Sequence, residues 1–177
     1  GNELTFGIIL SAWLLCGALG SILAAYLCRR ASEPQTLFGT LQLLSGTGLA
    51  AAVIFVRASK ALLSVPFGEV LTLEQTVLIA FTALSVPSFC DGAMFNMAFR
   101  HIKSVGRVYA LECAGALAAG ALFSFVLIRT LTGLQTAFLV WVAAAAVAFG
   151  LFLDARKKGL AVLSFLILCY GVTGWIY

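Results

Sequence analysis

Charge is what this sequence has least of. Only 11 Lys/Arg and 7 Asp/Glu occur in 177 residues, 10% of the chain, where a soluble domain devotes about a quarter to them. Such scarcity excludes an ordinary soluble globular protein, whose surface demands far more charge, and a 62% hydrophobic content excludes disorder. Histidine occurs once, at His101, so no pair of in-membrane histidines is available for haem. The five cysteines (Cys16, Cys28, Cys90, Cys113, Cys169) are an odd number without CxxC spacing, and all lie in or beside apolar runs. A disulfide framework is therefore excluded, and each reads as a small packing residue. Also missing are GxSxG, a Walker lysine loop, GxGxxG after a strand, HExxH and any Cys/His cluster with ligand spacing. Catalysis on this chain is not expected, and no cofactor or metal is implied. The net charge of +4 comes from short basic clusters between apolar runs rather than from a stripe, which fits membrane anchors and excludes nucleic acid as a partner.

What the chain does have is long apolar stretches. Cutting at the charges leaves six of roughly 20 residues, the length that spans a bilayer: 4–28, 34–56, 76–99, 108–128, 130–153 and 159–177. The expected fold class is all-α, a polytopic membrane protein with a bundle of six transmembrane helices in one integral membrane domain. Loops one, three and five carry Arg29, Arg30, Arg100, Lys103, Arg107, Arg156, Lys157 and Lys158, against Arg57, Lys60 and Arg129 in loops two and four. By the positive-inside rule the odd-numbered loops are cytoplasmic and both ends of this chain lie outside, in a bacterial inner membrane. Loop two, 57–75, contains the proline-broken apolar stretch 61–67, expected to lie on the outer membrane surface. The chain opens on Gly1-Asn2-Glu3 without a secretory leader and stops inside an apolar run at Trp175-Ile176-Tyr177, as a piece of a longer protein would.

Against this background two acids stand out. Asp91 and Glu112 are the only carboxylates within the expected spans, and an ionisable group there costs on the order of 2.5–3.5 kcal/mol unless paired or wet. They fall roughly 12 Å and 7.5 Å from the cytoplasmic ends of consecutive antiparallel helices, close enough to share a polar pocket facing the bundle interior. The bland alternative is a structural cluster locking helices three and four; the functional one is a substrate or proton site, with Asn96 and Tyr109 as further members. Pro87, in the middle of helix three, is expected to kink it. Small residues at four-residue spacing let helix backbones approach closely: Gly17 with Ser21, Gly20 with Ala24, Gly115 with Ala119, Ala116 with Gly120. Gly92 adds a further small position on helix three.

Three stretches resemble a known family. Leu4 through Leu15 with Gly17-Ala18-Leu19-Gly20-Ser21, the pattern Pro87 through Asp91-Gly92-Ala93-Met94-Phe95, and Gly106-Arg107-Val108-Tyr109-Ala110-Leu111-Glu112 running on to Gly115 and Gly120 are similar to the membrane module of membrane-bound spermidine synthase-like (polyamine aminopropyltransferase-like) proteins. Glu112 stands where that family's pattern has aspartate. The resemblance implies that a soluble nucleotide-binding aminopropyltransferase-like domain lies elsewhere, and that this chain acts as its anchor, as a complex-forming subunit, or as a path for a small cation. Two other readings stand beside it. One is a small transporter or half-carrier of major-facilitator type using Asp91 and Glu112. The other is a structural subunit of a membrane complex, whose partners are the lipid bilayer and other membrane subunits.

Overall fold

The computed structural model describes residues 2–27, 33–64 and 70–176, with no side-chain description for 2, 27 and 169–176. Among the described residues all regular structure is helical. There are six helices: α1 (Asn2–Leu27), α2 (Pro34–Leu62), α3 (Leu73–Ile102), α4 (Val105–Thr130, widening to a π-turn over Phe123–Leu127), α5 (Gly133–Asp154) and α6 (Lys158–Ile176). The first five are long and apolar enough to cross a membrane; of α6, the part with described side chains, Lys158–Leu168, is apolar but short.

One helix end differs from the expected charge boundary by more than a turn, that of α2 at Arg57. Arg57 and Lys60 lie inside α2, which runs on to Leu62, because long basic side chains near a helix end reach the headgroup region without ending the helix. Pro34 occupies the first turn of α2, where its missing N–H costs nothing. Capping sets the other starts. Thr72 accepts from the amide of Gln75 and the Gln75 side chain answers the Thr72 amide, so α3 starts at Leu73 and not at 76. Thr132 and Gln135 do the same for α5, which makes Gly133 its first residue rather than part of a turn. Ser104 caps α4, and Lys103, at φ 54°, supplies the left-handed corner between α3 and α4. Of the expected surface segment 61–67, Ala61 and Leu62 close α2, while 65–69 lie outside the described residues, as do Arg29 and Arg30.

Packing follows a single file: α1 on α3, α3 on α2, α2 on α5, α5 on α6. Glycines make the close approaches. A Cβ at Gly92 would run into the Gly17 carbonyl, and one at Gly20 into the carbonyl of Phe89, so α1 and α3 meet backbone to backbone. Between α2 and α5, Gly39 leaves room for the Phe152 ring and Gly46 faces Ala144, each within 2.7 Å of where a Cβ would stand. Phe152, Ala148 and Ala161 form the apolar centre of this half, with Leu43, Phe149 and Leu160 around it. α4 departs from the file. It meets α3 only weakly, and Val108 is its one buried residue. The chain accordingly exposes 11730 Å², against ~8,300 Å² for a compact soluble chain of 18.7 kDa.

Candidate functional site

Polar side chains within the apolar helices trace two seams. Along α1–α3, Asn96 Nδ2 donates to Ser21 Oγ at 3.4 Å while its Oδ1 accepts from Arg100 Nε at 3.2 Å. Arg100 Nη2 in turn donates to the Ala25 carbonyl at 2.6 Å, placing a guanidinium on the C-terminal turn of α1, where free carbonyls and the helix dipole favour a cation. Asn96 and Ser21 therefore serve the α1–α3 contact. Along α2–α3, Ser45 Oγ donates to Asp91 Oδ1 at 2.9 Å, and Gly48 approaches Val86 and Pro87. Trp141 Nε1 donates to Thr47 Oγ1 at 3.1 Å on the opposite side of α2, joining it to α5.

Among the described residues no hydrogen bond or described cavity joins Asp91 and Glu112 in a shared pocket. Asp91 takes its hydrogen bond from α2 and is otherwise exposed; Glu112 and Tyr109 are exposed on α4. The physical reason is the position of α4: a helix that touches α3 only weakly has no buried face on which to hold Glu112, so the carboxylates do not face a common interior. For the same reason Gly115 and Gly120, expected at a helix contact, have nothing within 4 Å of where a Cβ would stand, whereas Gly17, Gly20 and Gly92 lie where α1 and α3 touch. Pro87 is buried and α3 continues helical through it, although its missing N–H leaves the Ala83 carbonyl without the usual intrahelical donor. One turn position on, Ser88 is 1% exposed and its hydroxyl has no hydrogen-bond partner.

The end of α1, the start of α2, the α3–α4 corner and the α5–α6 corner are joined at one end of the molecule. Besides the Arg100 to Ala25 bond, Lys157 Nζ pairs with Glu33 Oε1 at 2.8 Å and Gln35 Nε2 donates to Asp154 Oδ2 at 2.9 Å. The Lys157 contact, with a second bond from Thr36, holds the Glu33 carboxyl below its usual range. A cavity of about 370 Å³ lined by Phe38, Met97, His101 and Leu151 opens at this end. At the other end a cavity of about 470 Å³ lies between α1, α2 and α3, walled by Ile9, Leu49, Ala52, Ile79 and Ala83 with Arg57 beside them. Neither cavity contains Asp91 or Glu112. Among the described residues no group of three or more His, Cys, Asp or Glu side chains is placed to hold a metal ion. Cys16 and Cys90 are buried as packing residues and Cys113 is exposed on α4.

These seams were partly hidden from sequence reasoning. Asp91 and Asn96 are visible as polar residues in an apolar run and Ser21 as a small contact position, but Ser45 is not, and neither serine's hydrogen bond is legible until its neighbour is known. Comparison of the chain with protein-family models, curated proteins and solved structures gives no match to any of them.

Proposed function

We propose that the chain is a six-span integral membrane module that works by assembling with other membrane segments, with α4 as its assembly face. The observation that carries this reading is α4 itself: 26 residues, apolar, tied to its neighbours by short connections at both ends, yet in only weak contact with α3 and with Val108 as its one buried residue. Lipid covers any apolar helix, so exposure alone is not the reason. Gly115, Ala116, Ala119 and Gly120 give α4 the four-residue small spacing that lets a second helix approach closely, and among the described residues nothing stands within 4 Å of where a Cβ would be at Gly115 or Gly120. The resemblance to spermidine synthase-like membrane modules belongs to the same proposal. It makes the partner a soluble nucleotide-binding domain or another membrane subunit, with loops one, three and five facing the cytoplasm of a bacterial inner membrane.

Two measurements test the reading. Cysteines placed at Ser64 and Ser104 should label from opposite sides of the membrane; labelling from one side overturns the topology. Gly120→Leu should leave the helicity and stability of the isolated chain unchanged and reduce co-purification of its partners from gently solubilised membranes by about tenfold or more, as steric blocks at helix contacts do. A wild-type chain that migrates alone after such extraction overturns the assembly role. A carrier using Asp91 and Glu112 jointly has less support, since neither acid lines either of the two cavities described above.

A further inference from the structure

Asp91 is an acid with half a partner. In α3, 30 residues long, it lies between three and four residues past the midpoint, about 5 Å along an axis of about 45 Å, and so within the hydrocarbon layer of a spanning helix. Its neighbours Cys90 and Ala93 are buried at 0% and 3% exposure, but Asp91 is turned out to the open side of the α2–α3 seam. One hydroxyl, that of Ser45, reaches one of its oxygens, and the rest of the carboxylate faces outward.

Among the described residues no cation is placed to answer it. The described Lys and Arg residues lie in connections or within the first or last two turns of helices. Arg100, on the same helix, is nine residues away, about 13.5 Å along the axis, and is already bonded to Ala25 and Asn96. A second copy of the chain has the same distribution, so it brings no cation to this depth either. Carboxylates within a membrane span pair with a basic group or line a watery path, and neither of the two cavities described above includes Asp91.

We propose that the open side of the α2–α3 seam at Asp91 is a docking surface for a transmembrane helix of a different chain, carrying a Lys or Arg near the middle of its span. Asp91 sets the depth and register of that helix, and Ser45 holds the carboxylate toward it. This rests on the membrane reading above and adds the chemistry of one partner, at a face separate from the small-residue stripe of α4.

The test uses the full chain in phosphatidylcholine vesicles with synthetic Leu/Ala transmembrane peptides, association being read by energy transfer between fluorophores on chain and peptide. A peptide with one central Lys should associate at least about tenfold more tightly than the matched central-Leu peptide. The preference should disappear when the Lys is moved about seven residues toward either end, ~10 Å along the helix. It should persist in Asp91→Glu, weaken in Ser45→Ala, which frees the carboxylate, and vanish in Asp91→Asn. Equal association of the two peptides with the wild-type chain overturns the inference, as does a Lys preference that survives in a folded Asp91→Asn chain. The displaced-Lys peptides need no variant, so misfolding of Asp91→Asn leaves the test intact. A chain that alkali strips from the vesicles overturns the membrane reading and this inference with it; one that stays embedded without a Lys preference overturns this inference alone.

Discussion

A buried hydroxyl with no partner is a defect that a single methyl group repairs. Ser88 is enclosed at the centre of α3, its Oγ neither donating nor accepting, so it keeps the desolvation penalty of a polar atom without a compensating bond. Ser88→Ala removes that atom at nearly constant volume and should stabilise the chain by about 1 kcal/mol, read as a higher midpoint in detergent-denaturant unfolding. A lower midpoint would show that the hydroxyl has a partner in the membrane. Asp91 and Pro87, a few residues either side, were legible in sequence as exceptions to an apolar run. Ser88 was not, because its burial and its missing bond exist only once α1 and α2 have closed around α3.

At the scale of elements, α1 and α4 carry the same small-residue spacing and have different fates. In α1 it is used: Gly20 and Gly92 each lack the room for a Cβ, whereas a Cβ at Gly17 would find only the Ser88 carbonyl at 3.5 Å, an ordinary contact. Gly20→Ala and Gly92→Ala should therefore each destabilise the α1–α3 pair by about 1–3 kcal/mol or more, since backbones must part, while Gly17→Ala should change the unfolding midpoint little. Equal effects at all three positions would mean that the helices do not cross where they are placed. The spacing announces that a helix allows close approach, but not which helix comes, so the contacts expected of Gly115 and Gly120 were not legible. Helix ends were legible in part. The pairs Thr72 with Gln75 and Thr132 with Gln135 mark starts by their capping chemistry, and charges such as Arg57 mislead because a snorkelling side chain lies within the helix.

For the whole molecule, all-helical character and the number of helices follow from the scarcity of charge and the spacing of apolar runs, but their order in space does not. The file α1–α3–α2–α5–α6 is held at one end by Glu33 with Lys157, which ties the start of α2 to the corner between α5 and α6. Because the Glu33 carboxyl is held below its usual value of 4.5, the pair contributes fully above that value and is lost as the pH falls through the lowered one. Lys157→Ala should lower the neutral plateau of a stability against pH profile by the small amount that a solvent-exposed pair contributes, leave the stability at strongly acid pH unchanged, and so flatten the acid limb below about pH 5. A limb unaltered by the substitution would assign the acid sensitivity elsewhere.

That same order has a consequence for how the chain is made. Helices emerge from the ribosome in sequence, yet α1 and α2 have hardly any contact with each other, and the helix that joins them is the third. If the chain is built into a membrane as proposed, the first two wait apart, with hardly any contact between them, until α3 arrives and packs against both. A chain arrested after residue 64 would hold two solitary helices and be an early target for membrane quality-control proteases, while one arrested after residue 102 would already own its tightest contact.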